Sequence, residues 1–199
     1  MNVDRDRRNL VIFARRPAYG VGKRRLAAEV GELAALRFQR HALAVLLREL
    51  CYDPRWKTWV AVTPDRPANW LKRPAMVAQG RGDLGERLSR AAKSMPRGSL
   101  VMLGSDAPQV RQTDVAAAFR MLGESEAVFG PAVDGGYWLV GLSERGRRKP
   151  PFANVRWSTA YALGDTLNNL QGRRVGFLRE LEDVDDAGSL ERLGSSDVG

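Results

Sequence analysis

The chain has 199 residues, 44% hydrophobic and 28% charged, with 32 Lys and Arg against 23 Asp and Glu for a net charge of +9. That size and balance fit one soluble domain, 1–199, with its own core, and exclude the disordered and fibrous classes. One cysteine, Cys51, excludes a disulfide framework and a cysteine-rich zinc site, and one histidine, His41, excludes a histidine-rich centre.

The elements follow in chain order. An apolar run at 9–14, NLVIFA, reads as a buried strand, followed by a basic loop with Gly and Pro at 15–25. A helix is expected over 26–50, where Leu36, Leu43, Leu47 and Leu50 recur near one face. Strands follow at 58–63 and 75–79, then a helix at 82–94 with Asp83 near its positive end. Residues 99–104 form another strand, and 113–122 a helix capped by Thr113. Two runs, 127–133 and 137–142, flank Asp134, Gly135 and Gly136 as a hairpin. A helix is placed after Thr159, a strand at 174–181 and a short helix from Asp186. Strands alternating with helices predict an α/β fold of three layers, α/β/α, with a mostly parallel mixed sheet.

In such a sheet, ligands sit beyond the carboxyl ends of the strands, so the loops there are the candidates. After the first strand, Ala14 and Arg15 lead into Gly20, Gly22, Lys23, Arg24 and Arg25. Glycines that allow close backbone approach, followed by cations and a helix start, suit phosphates. The P-loop spacing is absent, and an ordinary solvated basic loop has the same composition. Gln79, Gly82 and Asp83 sit between a strand and a helix. An amide there can read a base edge, and a plain strand-to-helix turn also explains the segment.

Residues 101–108, VMLGSDAP, end a strand on Ser105 and Asp106. A carboxylate at that place can hold a metal against phosphates, or cap the turn before Pro108. With so little Cys and His, an oxygen-bound ion is the consistent choice, Mg2+ or Mn2+. The DGG turn can present amides to an acceptor or serve only as a hairpin, with Tyr137 and Trp138 in the core or a pocket wall. Near the C-terminus, Asp183, Asp185 and Asp186 crowd three carboxylates into four positions. A cation relieves that crowding, and a helix cap accounts for one of the three.

These segments together resemble a bacterial family labelled rSAM/selenodomain-associated transferase, which is of glycosyltransferase-A type. The stretches that carry the resemblance are FARRPAYGVGKRRL, GDLGERL, LGSDAP, GPAVDGGYWLVGL, VRWSTAYAL and LEDVDD. More distantly, the arrangement is similar to phospholactate guanylyltransferase and the molybdenum-cofactor guanylyltransferase. The resemblance implies a nucleotide-diphospho-sugar transferase fold. It implies metal-dependent nucleotidyl or glycosyl transfer from an NTP or nucleotide-diphospho-sugar to a small acceptor. Asp106 takes the place of the metal-binding Asp, with Asp185 and Asp183 as its partners from the C-terminal segment. Lys23 and Arg25 match a K-x-R pair that meets phosphates. Residues 79–83 match the base side; Asp134, Gly135, Gly136 and Tyr137 with Trp157, Ser158 and Thr159 match the acceptor side. The chain departs from the family pattern at Arg15, where Lys is common, and at Arg24 and Asp186, where Thr is usual.

Two other classes fit parts of the sequence: a nucleotide or sugar-nucleotide binder without turnover, and a basic nucleic-acid module. The second lacks the interleaved aromatics of RNA readers. Basic clusters also stand at 5–8 and 145–149, away from the loops expected to carry chemistry. The longest apolar runs fall well short of the ~20 residues a membrane span requires. The N-terminus, MNVDRDRRNL, has no apolar signal-peptide core, so the cytoplasm is the expected location.

Overall fold

A computed structural model describes residues 7–65, 74–182, 186, 188 and 189. Its framework is a seven-stranded sheet: β1 (Arg8–Arg15), β2 (Lys57–Thr63), β3 (Ala75–Ala78), β4 (Ser99–Gly104), β5 (Ala127–Pro131), β6 (Tyr137–Leu142) and β7 (Val175–Phe177). Their spatial order is β3-β2-β1-β4-β6-β5-β7. All neighbours run parallel except β6, which is antiparallel to both β4 and β5.

The helices are α1 (Arg24–Val30), α2 (Glu32–Leu50), α3 (Leu84–Ser94), α4 (Gln112–Met121) and α5 (Ala162–Asn168). Alternate residues of each strand point to opposite faces. On one face Leu10, Ile12, Val60 and Val101 pack with Leu43, Leu46, Val115 and Phe119 of α2 and α4. On the other, Val11, Ala61 and Met102 pack with Leu88 and Ala91 of α3 and with Leu163 and Leu167 of α5. Both faces are covered, which is why β1 and β4 read as continuous apolar runs. Each fully buried Leu, Ile or Val contributes about 1.5–3 kcal/mol by leaving water.

Three local expectations are corrected. Residues 26–50 do not form one helix, because Gly31 has φ 86° and its N–H closes α1 on the Ala27 carbonyl. Ala35 N–H then bonds the Gly31 carbonyl, so α2 begins at once on the far side of the break. Thr113 does not cap α4, which already starts at Gln112. There the Asp114 carboxylate accepts the Arg111 N–H at 2.9 Å. The expected strand at 174–181 is a short β7 plus a single parallel bridge between Leu181 and Ala132.

Candidate active site

The carboxyl ends of β1, β2 and β4 lie side by side, since Phe13 pairs with both Ala61 and Gly104. Three loops leave this edge. The first bends through two left-handed residues, Gly22 at φ 78° and Lys23 at φ 44°. That bend is pinned to α2 by Gln39, whose Nε2 donates to the Val21 carbonyl at 3.1 Å. It turns the Lys23 side chain inward, to only 6% exposure, with Nζ 3.1 Å from Asp106 Oδ2. Asp106 is half-exposed, at 49%.

This pair stands in a cavity of about 290 Å3 that Arg15, Gly22, Gln79, Arg87 and Ser105 also line. Three cations, Arg15, Lys23 and Arg87, face one carboxylate, Asp106, so the lining is net positive. Charges of that sign suit an anionic ligand, and the exposed Asp106 oxygen suits a hard divalent cation carried with it. Magnesium is usually held by one or two carboxylates with phosphate oxygens, not by an all-protein cage. Among the described residues no group of three or more His, Cys, Asp or Glu could hold a metal.

The remaining sequence-predicted residues sort by position. Ala14 is buried, and its carbonyl accepts from Gln79 Nε2 at 3.2 Å. A second bond from the same Nε2 goes to the Ala61 carbonyl at 2.9 Å, and Oε1 accepts from Arg87 Nη1 at 3.4 Å. Gln79 therefore ties three elements together and presents no open amide edge. Gly82, at φ 102°, passes its carbonyl to Arg87 Nε at 2.9 Å. Asp83 caps α3: Oδ1 accepts from Glu86 N at 2.8 Å, and Asp83 N donates to Glu86 Oε2 at 2.9 Å. It edges a neighbouring groove of about 620 Å3 shared with Glu86, Arg90, Phe152 and Asn154. Gly20 and Arg25 are exposed and do not line the Lys23–Asp106 cavity.

The acceptor-side residues form one joined rim further along the sheet edge. Asp134 Oδ1 accepts the Gly136 N–H at 2.8 Å, which shapes the turn. The Gly135 carbonyl accepts the Leu163 N–H at 3.0 Å. A Cβ on Gly135 would lie 2.3 Å from the Ala160 carbonyl oxygen, so only glycine lets the two loops meet. The Tyr137 and Trp157 rings meet edge-on with centroids 6.2 Å apart. Burial holds the Tyr137 phenol well above its ordinary value, so it stays protonated. Ser158 and Thr159 are exposed, with Ser158 at φ 60° and Thr159 Oγ1 donating to the Arg156 carbonyl at 2.7 Å.

Asp183 and Asp185 lie outside the described residues. Up to Glu182 the segment is fixed beside the β4 loop, since Gln109 Nε2 donates to the Glu182 carbonyl at 2.8 Å. Asp186 is a cap, its Oδ1 accepting the Ser189 N–H at 2.8 Å. His41 is exposed, and Trp59 donates to Asn9 Oδ1 at 3.2 Å. Neither belongs to the site. Arg87 does, and sequence reading assigned it no role.

The fold, a mixed sheet with helices on both faces, is that of a nucleotide-diphospho-sugar transferase. The chain belongs to the family described as uncharacterized protein conserved in bacteria (DUF2064), matched over residues 38–159. It is similar to a candidate nucleotide-diphospho-sugar transferase from Desulfovibrio desulfuricans G20. The TM-score is 0.89 with 26% identity, over 97% of this chain and 88% of that one. A cytidylyltransferase from Leptospira borgpetersenii shares the fold at TM-score 0.63 and 14% identity, over 95% of this chain and 85% of that one. Molybdopterin-guanine dinucleotide biosynthesis protein A from Archaeoglobus fulgidus does so at TM-score 0.57 and 11% identity, over 95% and 98%. None of the curated proteins matches the chain. Among the described residues no helix is long and apolar enough to cross a membrane.

Proposed function

We propose that the protein is a transferase that uses a nucleotide or nucleotide-diphospho-sugar, seated with its phosphates in the Lys23–Asp106 cavity. One observation carries this reading. A buried lysine from the loop after β1 meets a half-exposed carboxylate at the end of β4, inside a net-positive cavity at the sheet's carboxyl edge. Similarity to the D. desulfuricans protein over nearly the whole chain supports the same class.

The residues then divide the work. Lys23, Arg15 and Arg87 bind phosphate oxygens, and each charge-assisted bond is about twice as strong as a neutral one. Gln79 holds the floor by joining the Ala14 and Ala61 carbonyls to Arg87. Asp106, with Asp185 and Asp183 as proposed partners, would hold Mg2+ or Mn2+. When bound, such an ion neutralises charge on phosphate oxygens. The rim of Asp134, Gly136, Tyr137 and Trp157 orients the small acceptor. Positioning and electrostatics carry the rate, so no side-chain nucleophile is required.

The test is product release. The protein is incubated with each NTP and a panel of nucleotide-diphospho-sugars, with Mn2+ and a mixture of phosphorylated and hydroxylated acceptors. Pyrophosphate release identifies nucleotidyl transfer, and nucleoside diphosphate release identifies glycosyl transfer. Binding with no release of either, across the panel, would instead identify a binder without turnover.

A further inference from the structure

The net charge of +9 is not spread evenly over the molecule. Much of it gathers at the amino ends of the parallel strands, opposite the cavity. The connection after β6 forms a 3-10 turn, Gly146–Arg148, and carries Arg145, Arg147, Arg148 and Lys149. Lys93, Arg97 and Arg148 border one cleft there, of about 470 Å3, together with Glu144. Arg173 donates to the Lys149 carbonyl at 3.0 Å, and Arg174 stands beside it at the start of β7. Arg7 joins through Glu144 at 3.4 Å. Glu124, Glu126 and Glu144 stand at this end, so the nine cations named outnumber them by six, and Asp53, also at this end, is paired with Arg55 at 2.6 Å.

The cluster is built, not merely crowded. Arg147 is the anchor: it donates to the Ala92, Met95, Pro96 and Gly98 carbonyls at 2.6–2.8 Å, closing the end of α3. With Arg147 spent inward, Arg145, Arg148, Lys149 and Arg174 stay exposed. Among the described residues Arg145 is paired to Glu126 at 3.3 Å.

We propose that this face docks the protein on an anionic phospholipid surface, with the cavity turned away from the bilayer and open to its substrates. The inference rests on the charge of this face and not on the transferase reading. Lipid headgroups fit it better than nucleic acid does. Several exposed cations at one end of the molecule match a plane of phosphodiesters. Nucleic-acid readers present helix N-termini, grooves or stacking aromatics, whereas here α3 turns its C-terminal end outward behind Arg147. Tyr52, 79% exposed in the turn before β2, stands at this same end of the sheet, while Tyr19, Tyr161 and Val133 lie elsewhere.

The test uses the full chain and co-sedimentation with vesicles of phosphatidylcholine alone or with one-third phosphatidylglycerol. The parent is expected to bind only the anionic vesicles and to release when salt rises from 0.1 M to 0.5 M, where exposed charges are screened. R148E/R174E is expected to bind about thirtyfold more weakly. R37E/R40E, the same charge change on the exposed face of α2, is expected to stay within about threefold of the parent. Equal loss in both variants, no binding by the parent, or tighter binding to a short RNA or DNA duplex than to the vesicles would overturn the proposal. Circular dichroism of each variant separates lost binding from lost folding, and K149E with R97E repeats the test if the first pair unfolds.

Discussion

Lys23 Nζ lies 3.1 Å from Asp106 Oδ2, which joins a loop after the first strand to a loop after the fourth, 83 positions later in the chain. The lysine is buried and the carboxylate half-open. A buried ammonium without its partner is costly, whereas an exposed carboxylate without its partner is not. Asp106→Ala is therefore expected to destabilise the protein more than Lys23→Met, by about 1–3 kcal/mol, in urea unfolding. Equal losses would mean that groups other than Asp106 balance the lysine.

The turn at Gly135 gives a sharper structural expectation. Its φ of 83° and the 2.3 Å approach of an added Cβ to the Ala160 carbonyl both oppose a side chain. Gly135→Ala is expected to cost about 2–3 kcal/mol in urea unfolding. Gly164→Ala, in α5 with nothing within 4 Å of the new Cβ, is expected to stabilise by about 0.5–1 kcal/mol.

Arg147 closes α3 with four bonds to backbone carbonyls from a half-buried position. Arg147→Met keeps much of the stem and removes the donors. A loss of about 2–4 kcal/mol is expected, read as a shift in the urea midpoint at unchanged slope.

Asp165 carries the pH dependence. Hydrogen bonds from the Arg156 side chain, then from its N–H, hold the carboxyl down to about 2. In the unfolded chain an Asp titrates near 3.9. The folded value is the lower one, so its stabilisation is complete above about pH 4 and drains away as pH falls toward 2. The stability difference between the parent and Asp165→Asn is expected to shrink across that window. A constant difference from pH 6 to pH 2 would remove Asp165 from the account.

Cys51 is expected to be inert in the native state. Burial pushes its thiol up to about 12, which leaves almost no thiolate at pH 8. Alkylation by iodoacetamide is expected to run at least about 100-fold slower in the native protein than in urea.

The strands were legible because both faces of the sheet are covered, which turns 9–14 and 99–104 into unbroken apolar runs. Lys23 and Asp106 were named from loops that follow such runs, and the structure places both loops at the sheet's carboxyl edge. The break at Gly31 was not, because one glycine inside a helical period keeps the period and only its φ breaks the rod. Thr113 was read as the cap because its hydroxyl opens the helical run, yet the helix starts one residue earlier and the Asp114 carboxylate accepts the Arg111 N–H. Gln79 and Arg87 show the deeper limit. Their partners are the carbonyls of Ala14, Ala61 and Gly82, and backbone groups leave no mark in a sequence. Asp183 and Asp185, named from their crowding and from the family resemblance, lie outside the described residues.

The most direct measurement is a Mn2+-dependent thermal shift with each nucleotide and nucleotide-diphospho-sugar, run on the parent and on Asp106→Asn. At about 100 times its dissociation constant a true ligand adds about 2.7 kcal/mol to the parent's stability. The account expects Asp106→Asn to lose the part of that shift that needs Mn2+ and to keep a smaller, metal-free part carried by Lys23, Arg15 and Arg87. A variant that keeps the parent's full Mn2+-dependent shift would contradict it.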